Sequence, residues 1–146
     1  MSFLKIKTIL YYVTTSPGSL EAFEKFSPFC LIHKASLVEL FVLDPLVIME
    51  ISRSSGKSRS QVEIEQEENG WIYLYEIEEL AKDTGIHVEV SLQIGNPLDK
   101  LLEVRKMHQC ELIVLPFHMI SSSKRIDRLV QDLLLRSPVP LLILPF

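Results

Sequence analysis

Five short runs rich in aliphatic and β-branched residues recur along this chain, separated by stretches of helical periodicity. They are IKTILYYV (6–13), LVELFVL (37–43), IHVEVSL (86–92), LIVL (112–115) and VPLLIL (139–144). The first lacks clean alternation, which suits a strand buried on both faces, as in a parallel sheet. Strands that alternate with helices require right-handed crossovers and a sheet covered on both sides. The order expected is β-α-β-α-β-α-β-α-β, a three-layer α/β/α sandwich. In such sheets a ligand crevice lies beyond the carboxyl ends of the strands, where the strand order reverses.

The intervening segments carry helix signals. Leu20, Phe23 and Leu31 share helical spacing, so Ser19 to Lys34 is expected to be helical, with Ser16 or Ser19 as cap and a kink at Pro28. Residues 45–60, which include SRSSGKSRS, read as an irregular basic loop. A helix over Gln61 to Thr84 follows, with Trp71, Leu74, Ile77 and Ala81 inward, carboxylates outward and Asn69-Gly70 weakening its middle. Pro97 at a first helical position opens a helix to about His108, and Lys124 to Arg136 forms the last one, closed by Ser137-Pro138.

The 146 residues suit one domain, and 47% apolar content excludes a disordered chain. A formal net charge of −4 argues against nucleic acid as partner. No apolar run approaches the roughly 18–20 residues of a membrane helix, and MSFLKIKTIL lacks the pattern of a secretory signal, so a cytoplasmic protein off the membrane is expected. Cys30 and Cys110 read as reduced, buried thiols. His108, Cys110 and His118 are too loosely spaced to suggest a metal site.

Three segments resemble the universal stress protein family. VSLQIGNPLDKLLEV (90–104) is similar to its extended strand, G-x-P turn and helix. CELIVLPFH (110–118) is similar to the strand before its phosphate loop, and LLRSPVPLLIL (134–144) to the Pro-x-Pro approach to its closing strand. The resemblance implies a five-stranded parallel sheet of order 3-2-1-4-5. It also implies an adenine-sized crevice and dimerisation through the last strand, here Val139 to Leu144.

ATP-binding members of that family carry G-x-x-G, nine residues, then G-S or G-T after the fourth strand. Glycines there let backbone amides approach the phosphates. In this chain Pro116 and Met119 stand at the first two glycine positions, and Asp127-Arg128 near the last pair. The aspartate that ends the family's first strand is matched by Thr14, followed by Thr15 and a retained Ser16. ATP is therefore not expected as a cofactor, and the expected role is a homodimeric regulatory or interaction module, with a protein partner, rather than an enzyme.

The alternative is a nucleotide- or anion-binding stress sensor. Ser121, Ser122, Ser123, Lys124 and Arg125 gather hydroxyls and cations at a helix amino terminus, which suits an anion. Thr14, Thr15, Ser16, Asp44, Gly95 and His118 complete the set expected around the crevice. Ser55-Gly56-Lys57-Ser58 is only a fragment of a phosphate-binding loop, since Ile51 stands where its first glycine belongs. Ser16, His118 and Asp44 could be drawn as a triad, but no G-x-S-x-G elbow supports it.

Overall fold

The computed structural model describes residues 5–117 and 124–146, with residues 124–126 described as backbone only. Its elements run β1 (Thr8–Tyr12), α1 (Ser19–His33), β2 (Ser36–Leu43), α2 (Pro45–Ser55), α3 (Arg59–Asp83), β3 (Val88–Ile94), α4 (Pro97–His108), β4 (Leu112–Phe117), α5 (Lys124–Arg136) and β5 (Leu141–Pro145). All neighbouring strands pair in parallel, in the order β3-β2-β1-β4-β5. The expected topology is the observed one.

Alternate residues of β1 divide the interior. Ile9, Tyr11 and Val13 meet Phe23, Phe26 and Cys30 of α1 and Leu74, Ile77 and Ala81 of α3. Leu10 and Tyr12 face the other way, with Leu101 and Val104 of α4 and Leu129 and Leu133 of α5. One core thus lies under α1 and α3, the other under α4 and α5. Burial on both sides explains the near-continuous apolar runs of the central strands, interrupted in β2 by Glu39.

Several expectations need correction. Residues 45–60 do not form an irregular loop: α2 occupies Pro45–Ser55 and α3 begins at Arg59. Asp44 caps α2 by accepting from the Leu46 amide at 2.9 Å, and Pro45 fits a first turn that has no use for its missing donor. Gly56 closes α2 with a left-handed φ of 75°, and Ser58 caps α3 by accepting from the Gln61 amide at 3.2 Å. Lys57 pairs with Glu65 at 3.0 Å, so the would-be phosphate loop is a helix–helix junction.

Asn69-Gly70 does not weaken α3, which runs unbroken for 25 residues. A Cβ on Gly70 would lie 2.5 Å from the Phe41 ring, so the glycine lets α3 pack its backbone directly on that side chain of β2. Trp71 is half-buried rather than core, and it stacks on Tyr75 one turn later with ring centroids 5.3 Å apart. In α1 the cap is Gly18, with no side-chain cap bond, instead of Ser16 or Ser19. The helix continues through Pro28. That proline cannot donate to the Glu24 carbonyl, and the Ser27 hydroxyl does so instead at 3.0 Å.

Candidate functional site

β1 leads to β2 on one side of the sheet, while β4 pairs with β1 on the other. The carboxyl ends of β1 and β4 therefore flank the point where strand order reverses. The Val13 amide donates to the Leu40 carbonyl at 2.8 Å, carrying the chain past the end of β1 before it turns. Thr14 follows, and its hydroxyl oxygen is buried without a hydrogen-bond partner. Thr15 and Ser16 are half-buried, and the Ser16 carbonyl accepts from the Ser19 amide at 3.2 Å. Gly18, at a φ of 86°, turns the chain into α1. Ser19 is 2% exposed, and its hydroxyl is also unpartnered.

The ends of β2 and β3 lie alongside. Asp44 is 9% exposed and caps α2. Burial pushes the Tyr12 hydroxyl well above the usual phenol range, and the Asp44 charge pushes it further. Gly95 donates its amide to the Leu43 carbonyl at 3.1 Å and has a φ of 148° that favours glycine. A Cβ there would lie 2.8 Å from Cε of Lys100. Asn96 caps α4 by accepting from the Asp99 amide at 3.2 Å.

Of the expected site residues, Thr14, Thr15, Ser16, Asp44 and Gly95 stand at the carboxyl ends of three adjacent strands. Lys124 and Arg125 open α5, but their side chains lie outside the described residues, as do His118, Ser121, Ser122 and Ser123. Sequence reasoning missed Tyr12, Ser19 and Lys100. Tyr12 was legible only as one of two tyrosines in an apolar strand, and Lys100 as a basic residue one turn past Gly95-Asn96.

The described wall presents hydroxyls and one capped carboxylate. Hydroxyls both donate and accept, so such a wall suits the polar edges of a neutral heterocycle or sugar rather than several negative charges. No cluster of three or more His, Cys, Asp or Glu able to hold a metal occurs among the described residues. No described helix is long and apolar enough to cross a membrane. An open cavity of about 200 Å³ lies at the opposite, amino-terminal edge of the strands, among Thr8, Ser36, His87, Glu89 and His108.

The universal stress protein family model matches residues 5–145. Among curated proteins no sequence matches. A universal stress protein family member from Burkholderia pseudomallei has a similar structure, with a TM-score of 0.73 at 16% identity over 99% of this chain and 100% of that one. A universal stress protein solved in complex with cAMP aligns with a TM-score of 0.65 at 18% identity, over 95% of this chain and 96% of the other. The Archaeoglobus fulgidus universal stress protein in complex with dAMP aligns with a TM-score of 0.61 at 12% identity, over 97% and 98%. Identities this low speak for the fold alone.

Proposed function

This chain belongs to the universal stress protein family, and from that premise we propose that it is a cytoplasmic, homodimeric regulatory or interaction domain without strong ATP binding. The observation that carries this reading is the place of Pro116. Where the family's glycine loop would begin, Pro116 and Phe117 are still in β4, paired with Leu144 and Pro145 of β5. Proline has no amide proton to offer a phosphate, and its ring fills the space a glycine leaves open. Asp127 adds a carboxylate to the first turn of α5, at the end of a helix that would otherwise attract an anion.

The free side of β5 supports the dimer. Among the described residues β5 pairs with β4 alone, and Ile143 on it is 38% exposed. An apolar edge of this kind is a template for strand pairing. A second copy presented in antiparallel fashion would extend both sheets. Calorimetric titration with ATP and magnesium tests the ligand part, after the denatured protein has been checked for carried-over nucleotide. No binding at millimolar ATP is expected; a micromolar Kd or a co-purified nucleotide overturns the reading. Sedimentation of the same sample should give twice the 16.8 kDa chain mass, and a monomer at all concentrations removes the dimer.

A second reading rests on Thr14 and Ser19, whose buried hydroxyls lack partners at the carboxyl edge. A buried hydroxyl without a partner is costly, and a ligand that bonded it would recover that cost. A nucleoside monophosphate makes little demand on a triphosphate loop, and two relatives were solved with cAMP and dAMP. This version is the anion- or nucleotide-binding sensor, with Ser121 to Arg125 in place of the glycines. Titration with cAMP and AMP separates it from the first reading: saturable binding weakened by Thr14→Val supports the sensor.

A further inference from the structure

Glu39 stands in the middle of β2, opposite Tyr11 of β1 and Val90 of β3. It is 0% exposed, and neither carboxyl oxygen has a hydrogen-bond partner. Tyr11 beside it is 1% exposed, and its hydroxyl is equally unpartnered. Both side chains lie on the face covered by α1 and α3, among Phe23, Phe26, Leu74 and Ile77. An unpaired carboxylate in such surroundings is prohibitively costly, whereas a carboxylic acid is a tolerable buried polar group.

No cation faces Glu39 among the described residues packed around it. β1 contributes Tyr11, which stands opposite, and α3 contributes Glu78, while its strand neighbour on β3 is the uncharged Val90; Cys30 of α1 acts on Tyr11. Glu78 is itself paired with Lys82 at 3.6 Å. α3 packs on β2 at Gly70 against Phe41, two residues along the strand from Glu39. The acid and the seat of the helix share one patch of sheet.

We propose that Glu39 is held as the neutral acid and works as a proton latch on folding: closing the sheet under α3 takes up a proton, so the closed fold gains on the unfolded chain as the surroundings acidify. Burial first, and the charge of Glu78 second, push the Glu39 carboxyl from 4.5 up to about 9. The sign follows from linkage. Below the unfolded value of 4.5 both states hold the proton and the full contribution is present. As pH rises from there to about 9, only the unfolded state releases the proton, so the folded state loses ground steadily. Each pH unit in that window lowers the folding constant about tenfold. Tyr11 and Cys30 stay silent there: burial holds Cys30 up at about 12, and Tyr11 higher still.

The reactivity of this latch is read directly by infrared spectroscopy of the wild-type protein. A carbonyl band of a neutral carboxylic acid is expected at pH 7; it should fade above about pH 9 and be missing from Glu39→Gln. No such band in the wild type at pH 7 overturns the proposal outright, with no variant needed. Urea unfolding followed by Trp71, the one tryptophan and a residue of α3, supplies the second readout. The wild-type folding constant should fall about tenfold per pH unit relative to Glu39→Gln between pH 5 and 8. Parallel profiles overturn the latch. Glu39→Leu, of similar volume and without polar atoms, serves where the glutamine variant does not fold.

Discussion

The two faces of the sheet are packed with different materials. Under α1 and α3, Tyr11, Phe23 and Phe26 form an aromatic cluster, with the first pair edge-on at 5.3 Å, and the same core encloses Glu39. Under α4 and α5 the core is chiefly aliphatic: Leu10, Leu101, Val104, Ile113, Leu115, Leu129 and Leu133. If Glu39 is the latch proposed above, the first face should carry a stability that depends on a proton between pH 5 and 8, whereas the groups buried in the second, Tyr12 and Cys110, are held protonated through that range. A parallel sheet can hold both because alternate residues of each strand belong to separate cores.

The sharpest way to break this contrast is to damage each face in turn and vary pH. Phe23→Ala removes a fully buried ring and should cost about 3–5 kcal/mol, while Leu133→Ala should cost about 2–5 kcal/mol. Measured by urea unfolding, the cost of Leu133→Ala should be equal at pH 5 and pH 8. A cost that changes with pH would mean the aliphatic face feels the acid, and the faces are not separate. Next in size is Gly70→Ala, where the new methyl must displace the Phe41 ring; about 1–3 kcal/mol should be lost. Combining it with Phe41→Leu should recover part of that loss, a coupling a double-mutant cycle measures.

The smallest effects compare helix caps, one from each face. Asp44→Ala and Asn96→Ala remove the side-chain caps of α2 and α4, and each should cost about 1 kcal/mol. They differ in a second respect. Asp44 helps keep the Tyr12 hydroxyl protonated, so Asp44→Ala should ease its ionisation in an alkaline ultraviolet titration, and Asn96→Ala should not. Equal phenol titrations would separate Asp44 from Tyr12.

The C-terminal half was legible almost to the residue. α4 and α5 match the expected Pro97 to His108 and Lys124 to Arg136, because local chemistry marks their ends: Asn96 and Pro97 at one start, Ser137-Pro138 at one stop. The N-terminal half was less so. Asp44-Pro45 reads in the sequence as the end of a strand, and the polar run from Ser52 to Ser60 concealed the helix that Asp44 caps. Gly70 looked like a weak point in α3 because its reason lies on another element, the Phe41 ring. Glu39 was invisible for the same cause: a charge inside LVELFVL is ordinary on a half-wet strand, and only the helix above makes it buried. For the candidate site, Thr14 to Ser16, Asp44 and Gly95 follow strand ends as expected, but Tyr12 and Ser19 were not singled out, because their interest is that nothing bonds them or that a neighbour's charge reaches them.

Cys30 lies in one core and Cys110 in the other, both free and fully enclosed. Burial raises their thiols to about 12 and about 11, so neither is a competent nucleophile while its layer is closed. The sheet stands between them, and no bridge can form without dismantling it. The molecule thus carries a chemical clock in each layer. A thiol reagent in excess captures each sulfur only when its own layer opens, and the two labelling rates, separated by peptide mapping, compare the openings. Equal rates mean the sandwich comes apart as one cooperative unit; unequal rates, changing with pH for Cys30 alone, mean that it comes apart leaf by leaf.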